Sequence, residues 1–323
     1  GSLSNLSKFQ HAVFNGIHGL SQLPAGRWKH KQSTRQVLKR FPSMGGFIAD
    51  ISVALGEFQI PPGEIPQILP QQLLMLKVAA AAILNAGMPL REARERMGTI
   101  IGISFDFEAC NFDLRWSLPK LVETYQQQNN IKVDSAQLDQ WLQATQSACS
   151  PPLTATRTLG ALGGIVASRI AREFRLGGPS FVVSAEEASG VQALEIGTRL
   201  LQSKELDSVL IGAVDLFCDE RNLATLASQI PFSEDAKIRP FDKAADGTLP
   251  GEGAVALVLK RLKDAMADGD RIYALVDGIG RASGNLTSDK STTYNVSLVK
   301  SLEAARITTA AISLAETHGS GIP

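Results

Sequence analysis

The chain has 323 residues, with 32 Lys+Arg against 32 Asp+Glu, 44% hydrophobic residues and 6% aromatics. That make-up excludes disorder and collagen-like repetition, and a chain this long hides about 75% of its unfolded surface, enough for a core without disulfides or structural metal. A net charge of zero gives no overall field to attract nucleic acid or an anionic membrane, so neither is expected as a partner.

Cys110, Cys149 and Cys218 stand far apart and are odd in number, which forms no C-x-x-C pair and no disulfide framework. A reducing cytosol is the expected location. The most apolar stretch, Val78 to Leu84, is too short to span a bilayer, and no export signal is read at the N-terminus.

Leu6, Phe9, Val13 and Phe14 fall at helical spacing and predict a short opening helix, ended by the Pro and Gly signals of Leu23 to Arg27. Pro61, Pro62, Pro66 and Pro70 precede a Leu- and Ala-rich run, Gln71 to Ala86, which predicts a buried helix. Gly98 to Ser104 reads as a strand covered on both faces. Segment 105–150 is the least regular, an insertion-like stretch with polar helical pieces at Leu118 to Gln128 and Ser135 to Gln146.

From Leu159 the pattern alternates. It predicts a helix over 160–174, a turn at 177–179, a strand over 180–184, a helix over 186–203, a strand over 207–215 and a helix reaching Ala224. Strand 253–260, a helix over 261–267, a long strand 272–281, a helix over 295–306 and a strand near 311–315 follow. This is an α/β layered fold, read as one domain over 1–323.

Three places could carry chemistry. The first is Ser180 to Gly197, where a strand turns sharply into a helix whose positive end can stabilise an anion or an oxyanion. Glu187 occupies the turn, and Ser184-x-x-Glu187 equally fits a capping box with a purely structural role. The second is His318 in ETHGSGIP, on a Gly-rich turn at the predicted end of a strand, against the alternative of a histidine satisfied by loop carbonyls.

The third is Arg239 to Leu262, whose Asp246-Gly247 and Gly251-Glu252-Gly253 form tight turns with a structural reading. His11, His18 and His30 lack metal-ligand spacing and are read as surface residues, so no metal site is expected. No phosphate-binding loop is present, which disfavours a nucleotide cofactor.

SRIAREFRLGGPSF (168–181), PFD…ADG…GEGA (240–254) and ETHGSGIP (316–323), in this order, resemble the β-ketoacyl synthases of polyketide and fatty-acid synthesis. The resemblance implies a thiolase-like layered αβαβα fold, of which this stretch would lack the first strand and the C-terminal part. In condensing members the turn reads DTACSSS, and aligning it with SAEEASG puts the nucleophile position at Glu187 and the first catalytic histidine at His318. A carboxylate cannot hold an acyl chain as a thioester, so condensation by this domain alone is not expected. Val255 stands where the family usually has glycine after GEGA, which is expected to narrow the nearby packing.

Two cysteine-less types of ketosynthase are then to be weighed: a chain-length factor, and a decarboxylase that makes a starter unit from malonyl carrier protein. Two like charges at about 4 Å and an effective dielectric near 20 repel by about 4 kcal/mol, which favours the chain-length factor while Glu187 is ionised. The wording of 165–190 resembles the factor-type ketosynthase domains of polyunsaturated fatty acid synthases or of related bacterial glycolipid synthases.

The implied partners are an active ketosynthase in a pseudo-symmetric heterodimer, or a second copy in a homodimer, joined along Ser180 to Ser184. A phosphopantetheine-linked acyl carrier protein would deliver substrate, with no cofactor bound directly. Phe105, Phe107, Phe112 and Trp116 are expected near the interface, closing the partner's acyl tunnel, or else as ordinary core aromatics. A non-catalytic scaffold is the third reading.

Overall fold

The computed structural model describes residues 3–24, 44–104, 108–216, 220–284 and 290–322, with side chains from 112 onward in the helix that starts at 108. Phe105, Phe107, His30 and Cys218 therefore lie outside the described residues. Helix α1 (Leu6–Phe14) starts at Asn5, whose side chain accepts the Lys8 N–H. The short strands β1 (Ser21–Gln22) and β2 (Met44–Gly45) pair antiparallel.

The body of the fold is a four-stranded sheet flanked by helices. Its strands are β3 (Met97–Ile103), β4 (Ser180–Val183), β5 (Ser208–Asp215) and β6 (Gly253–Lys260), in the order β4-β3-β5-β6. The first three run parallel and β6 is antiparallel to β5, with Asp215 opposite Gly253. Every residue of β3 is buried, as its short apolar run between two neighbours requires.

Helix α2 (Pro70–Asn85) has proline at its first position, where a missing N–H costs nothing. It packs with α6 (Val166–Phe174) on one face of the sheet. Met75, Leu76, Ala79, Ile83, Ile170 and Phe174 form that layer with Met97, Ile101, Leu210 and Val214 of the strands. Full burial of such side chains contributes about 1.5–3 kcal/mol each, which makes this layer the main source of stability. On the opposite face α7 (Ser189–Gln202) lays Ala193 and Leu201 against Ile100, Val209 and Ile211.

Residues 108–150 are more regular than their composition suggests. Helices α3 (Glu108–Asn129) and α4 (Ser135–Cys149) pack on each other as a hairpin, and α3 runs straight through Pro119. Proline has no N–H for the carbonyl four residues back, so the Arg115 carbonyl loses its helical partner. Gln146 of α4 donates its Nε2 to that oxygen at 3.2 Å. Arg115 Nη1 in turn donates to the carbonyls of Gln146 and Ser150, both at 2.7 Å, covering the end of α4.

The expected helix over 160–174 is two helices, α5 (Ala155–Ala161) and α6, joined by a 3-10 turn over Gly163–Ile165. The buried side chain of Gln72 causes the break. Its Nε2 donates to the carbonyls of Leu159, Gly160 and Leu162, which an unbroken helix would use internally. Helix α8 (Glu220–Gln229) runs five residues past the expected end at Ala224, α9 (Leu262–Ala267) matches its predicted segment, and α10 (Lys290–Ala305) starts five residues before the expected 295.

Two expected strands are absent. Residues 272–281 make no ladder, and of the expected 311–315 the first residue closes a 3-10 turn over Thr309–Ala311 while 312–315 form no strand. Their apolar residues suit a strand, but no described strand lies beside them to supply the hydrogen bonds.

Candidate functional site

Strand β4 ends in a sharp elbow. Helix α7 begins at Ser189, with Ala188 as its N-cap, rather than at Glu186. The expected capping box between Ser184 and Glu187 does not form. Ser189 takes its place: its Oγ accepts the Ala185 N–H at 2.8 Å and donates to the Glu186 carbonyl at 2.6 Å. This folds the chain back so tightly that Glu186 adopts a left-handed conformation, φ 50°. Glu187 is left with an exposed side chain just ahead of the helix start, where the backbone dipoles favour an anion.

The elbow is seated by Gly102 of β3. A Cβ there would come within 2.7–2.8 Å of the Ser189 carbonyl group and the Gly190 nitrogen, so only glycine allows α7 to approach the strand this closely.

Two further carboxylates stand at the same end of the sheet. Asp215 closes β5, and Glu252 directly precedes β6, accepting the Ile48 N–H at 2.8 Å. The Asp215 carboxyl is held above the usual carboxylate range, first by the protein crowded around it and then by the charges of Glu252 and Glu187. Solvent still reaches Asp215, so the crowding amounts to a recess rather than full burial. The sequence reading missed both partners of Glu187. They become visible only through the antiparallel register of β5 and β6, which brings Glu252 back to the end of β5.

The other two motifs meet beside this end. Gly247 donates its N–H to the Gly321 carbonyl at 3.0 Å, and Gly319 lies against Pro240. Gly247 has φ 154°, and a Cβ there would lie 2.5 Å from the Phe232 carbonyl carbon, so its predicted structural role holds. Gly251 and Gly253 have open space around them and make no such demand. Val255 is half-exposed on β6. His318 is exposed, and its ring has no hydrogen bond to Glu187 among the described residues. Phe112 is half-buried on α3, whereas Trp116 is 71% exposed and belongs to no core.

Arg239 braces this turn, pairing with Asp235 and with Asp246 at 3.3 Å. The Arg239 guanidinium, helped by the Ser233 hydroxyl, holds the Asp235 carboxyl at about 2. Its folded value lies below the unfolded value of about 3.9, so its stabilisation is complete above pH 4 and is lost as pH falls through about 2. We expect the difference in urea midpoint between the native chain and Asp235→Asn to be constant above pH 4.5 and to shrink steadily below pH 4. A difference independent of pH down to 2 would contradict the pairing.

Among the described residues no group of three or more His, Cys, Asp or Glu could hold a metal ion, and no helix is long and apolar enough to cross a membrane. The mixed α/β fold is shared with thiolase-like ketosynthases among solved structures. The β-ketoacyl synthase N-terminal domain model matches residues 2–265, and the chain belongs to that family.

It is 31% identical over 322 residues to a polyunsaturated fatty acid synthase polypeptide of Thraustochytrium sp., covering 98% of this chain and 14% of that protein. It is 27% identical over 337 residues to a phenolphthiocerol/phthiocerol polyketide synthase polypeptide of Mycobacterium tuberculosis, covering 99% of this chain and 16% of the relative.

Among solved structures, a mutant of the ketosynthase from module 6 of the Bacillus subtilis bacillaene synthase matches with TM-score 0.75 and 25% identity, over 98% of this chain and 48% of that one. A structure named PfaC Keto synthase-Chain length factor matches with TM-score 0.78 and 25% identity, over 99% and 33%. The chain thus spans about half of a solved ketosynthase and about a seventh of the curated synthases.

Proposed function

We propose that this chain is a chain-length-factor-like ketosynthase homologue of a polyunsaturated fatty acid or polyketide synthase. It pairs with an active ketosynthase, shapes its acyl tunnel and supports decarboxylative Claisen elongation without carrying the acyl chain itself. The observation behind this reading is Glu187 on the elbow, with Asp215 and Glu252 at the same end of the sheet. A carboxylate there offers no thiolate for acyl transfer. The added negative charge also works against a malonyl carboxylate, which weighs against starter-forming decarboxylation.

Among the described residues strand β4 is an edge of the four-stranded sheet and pairs with β3 alone, and Phe181 on it is partly exposed. An unpaired edge of this kind invites a strand from another chain, in keeping with pairing along Ser180 to Ser184. Trp116 is available for contact with the partner. The substrate would arrive on a phosphopantetheine-linked acyl carrier protein.

The deciding experiment measures carbon dioxide release and chain elongation from labelled malonyl carrier protein, with and without an active ketosynthase. The expected result is no release alone and elongation only with the ketosynthase. Release in its absence, abolished by His318→Ala, would make the domain a decarboxylase. Elongation by the ketosynthase unaffected by this chain would reduce it to a scaffold.

A further inference from the structure

Among the described elements, helices α3 and α4 pack extensively only on each other. The half-buried residues Arg115, Leu118, Val122 and Gln126 recur at three- and four-residue steps and mark the inner face of α3. Leu138, Leu142, Thr145 and Cys149 do the same on α4. A second set is left uncovered. Leu114, Leu121 and Tyr125 lie about a quarter-turn from the inner face of α3, and Trp141 about a quarter-turn from that of α4. The helices run antiparallel, tied end to end through Arg115 and Gln146, so both quarter-turns point to the same side of the hairpin. The four side chains are between 45% and 60% exposed there.

Among the described residues the helical part of that side carries no charge. Asp113 and Lys120 point away from α4 on the back of α3, Glu123 and Asp139 lie on the opposite side, and Arg115 is turned inward. Lys132 and Asp134 stand at the tip, where Asp134 caps α4. Ser117, Thr124, Gln128 and Gln137 form the border. The Ser117 and Thr124 hydroxyls donate to the Asp113 and Lys120 carbonyls, both at 2.8 Å, so covering this side strands neither. Trp116 faces the opposite side.

We propose that this side is an interface for a second copy of the same hairpin, closing a four-helix bundle about a two-fold axis. An uncharged border offers nothing to select a charged partner. A like copy brings the same apolar centre and the same border, and two hairpins laid side to side are the smallest bundle that covers both. The 15 residues of α4 give a side about 22 Å long and, for two helices, about 20 Å wide, roughly 450 Å² per copy. That is about half the area of a standard interface, so the dimer is weak and forms at micromolar concentration. The inference does not rest on the function proposed above.

Sedimentation equilibrium of the native chain is expected to show a monomer–dimer equilibrium with a Kd on the order of 10 μM. Leu121→Glu places a carboxylate from each copy in the apolar contact and weakens the dimer at least about tenfold. Its thermal midpoint stays within about 2 °C, because the side chain is exposed in the monomer. Trp116→Ala, on the other side, leaves Kd within about twofold. If Leu121→Glu fails to fold, Tyr125→Glu reads the same side with the same expectation.

A native chain that stays monomeric at about 200 μM would overturn the proposal. So would a dimer that the Leu121 and Tyr125 variants leave intact, or one that Trp116→Ala dissolves. Binding of an active ketosynthase that Leu121→Glu abolishes, without self-association, would give this side to that partner instead.

Discussion

Replacing Gly102 with alanine is expected to destabilise the chain by about 3 kcal/mol and to remove the support of elongation proposed above. The new Cβ would meet the Ser189 carbon and oxygen and the Gly190 nitrogen at 2.7–2.8 Å. All three atoms are backbone, so no side chain can rotate away, and the start of α7 must lift off β3. The elbow shifts with it, and so does the end of β4, the strand along which pairing with a ketosynthase is proposed. Urea unfolding gives the stability change, and Gly251→Ala is the control. A Cβ at 251 meets nothing within 4 Å and is expected to change stability by less than about 0.5 kcal/mol. Equal midpoints for the two variants would refute the close seating of α7 on β3.

A second large loss is expected from Gln72→Leu. Leucine fills a similar volume but leaves three carbonyl oxygens and the Arg169 guanidinium without the amide that joins them. The bonds lost are to the oxygens of Leu159, Gly160 and Leu162 at 3.3, 2.9 and 3.0 Å, and from Arg169 Nε at 2.8 Å. Gln72 is fully buried; the Gly160 and Leu162 carbonyls keep the Leu69 and Ile165 N–H groups, but the Leu159 carbonyl and the Arg169 guanidinium lose their amide partner, and at about 1–3 kcal/mol for each group left unpaired a total near 3 kcal/mol is expected. Hydrogen exchange offers a local readout. The Leu69 N–H, bonded to the Gly160 carbonyl at 3.0 Å, should exchange much faster in the variant. Unchanged protection there would mean that the break between α5 and α6 holds without the glutamine.

The sheet and its main covering helices were legible in the sequence because their signals are local. Short β-branched runs gave β3, β4, β5 and β6 within one or two residues, and the Leu/Ala run behind Pro70 gave α2. What could not be read depends on partners far away in sequence. Pro119 looks like a helix boundary until Gln146 supplies a bond to the orphaned Arg115 carbonyl. The segment around Leu162 to Gly164 fits a helix until the amide of Gln72 takes its carbonyls. Residues 272–281 carry the residue types of a strand but have no described neighbour to pair with.

The site divided in the same way. Glu187 and the turn that bears it were visible from residue order, and the family resemblance is carried by the domain model over residues 2–265. The acidic surroundings of Glu187 were not visible, because Asp215 and Glu252 are 37 residues apart in sequence and meet only through the ladder of β5 and β6. The capping reading failed for a local reason: Ser189 competes with Ser184 for the same task and, further along the chain, sets the helix start itself.

The division of labour within the elbow bears on how such domains diversify. The turn is shaped by the Ser189 hydroxyl, by the left-handed backbone of Glu186 and by the bare α-carbon of Gly102. The side chain at 187 projects into solvent and takes no part in that shaping. A single codon change at 187 can therefore exchange one chemical group for another while the surrounding architecture stays intact. A duplicated gene could lose or alter its chemistry at this point in one step and still encode a folded protein, available at once for a new task beside its unaltered copy.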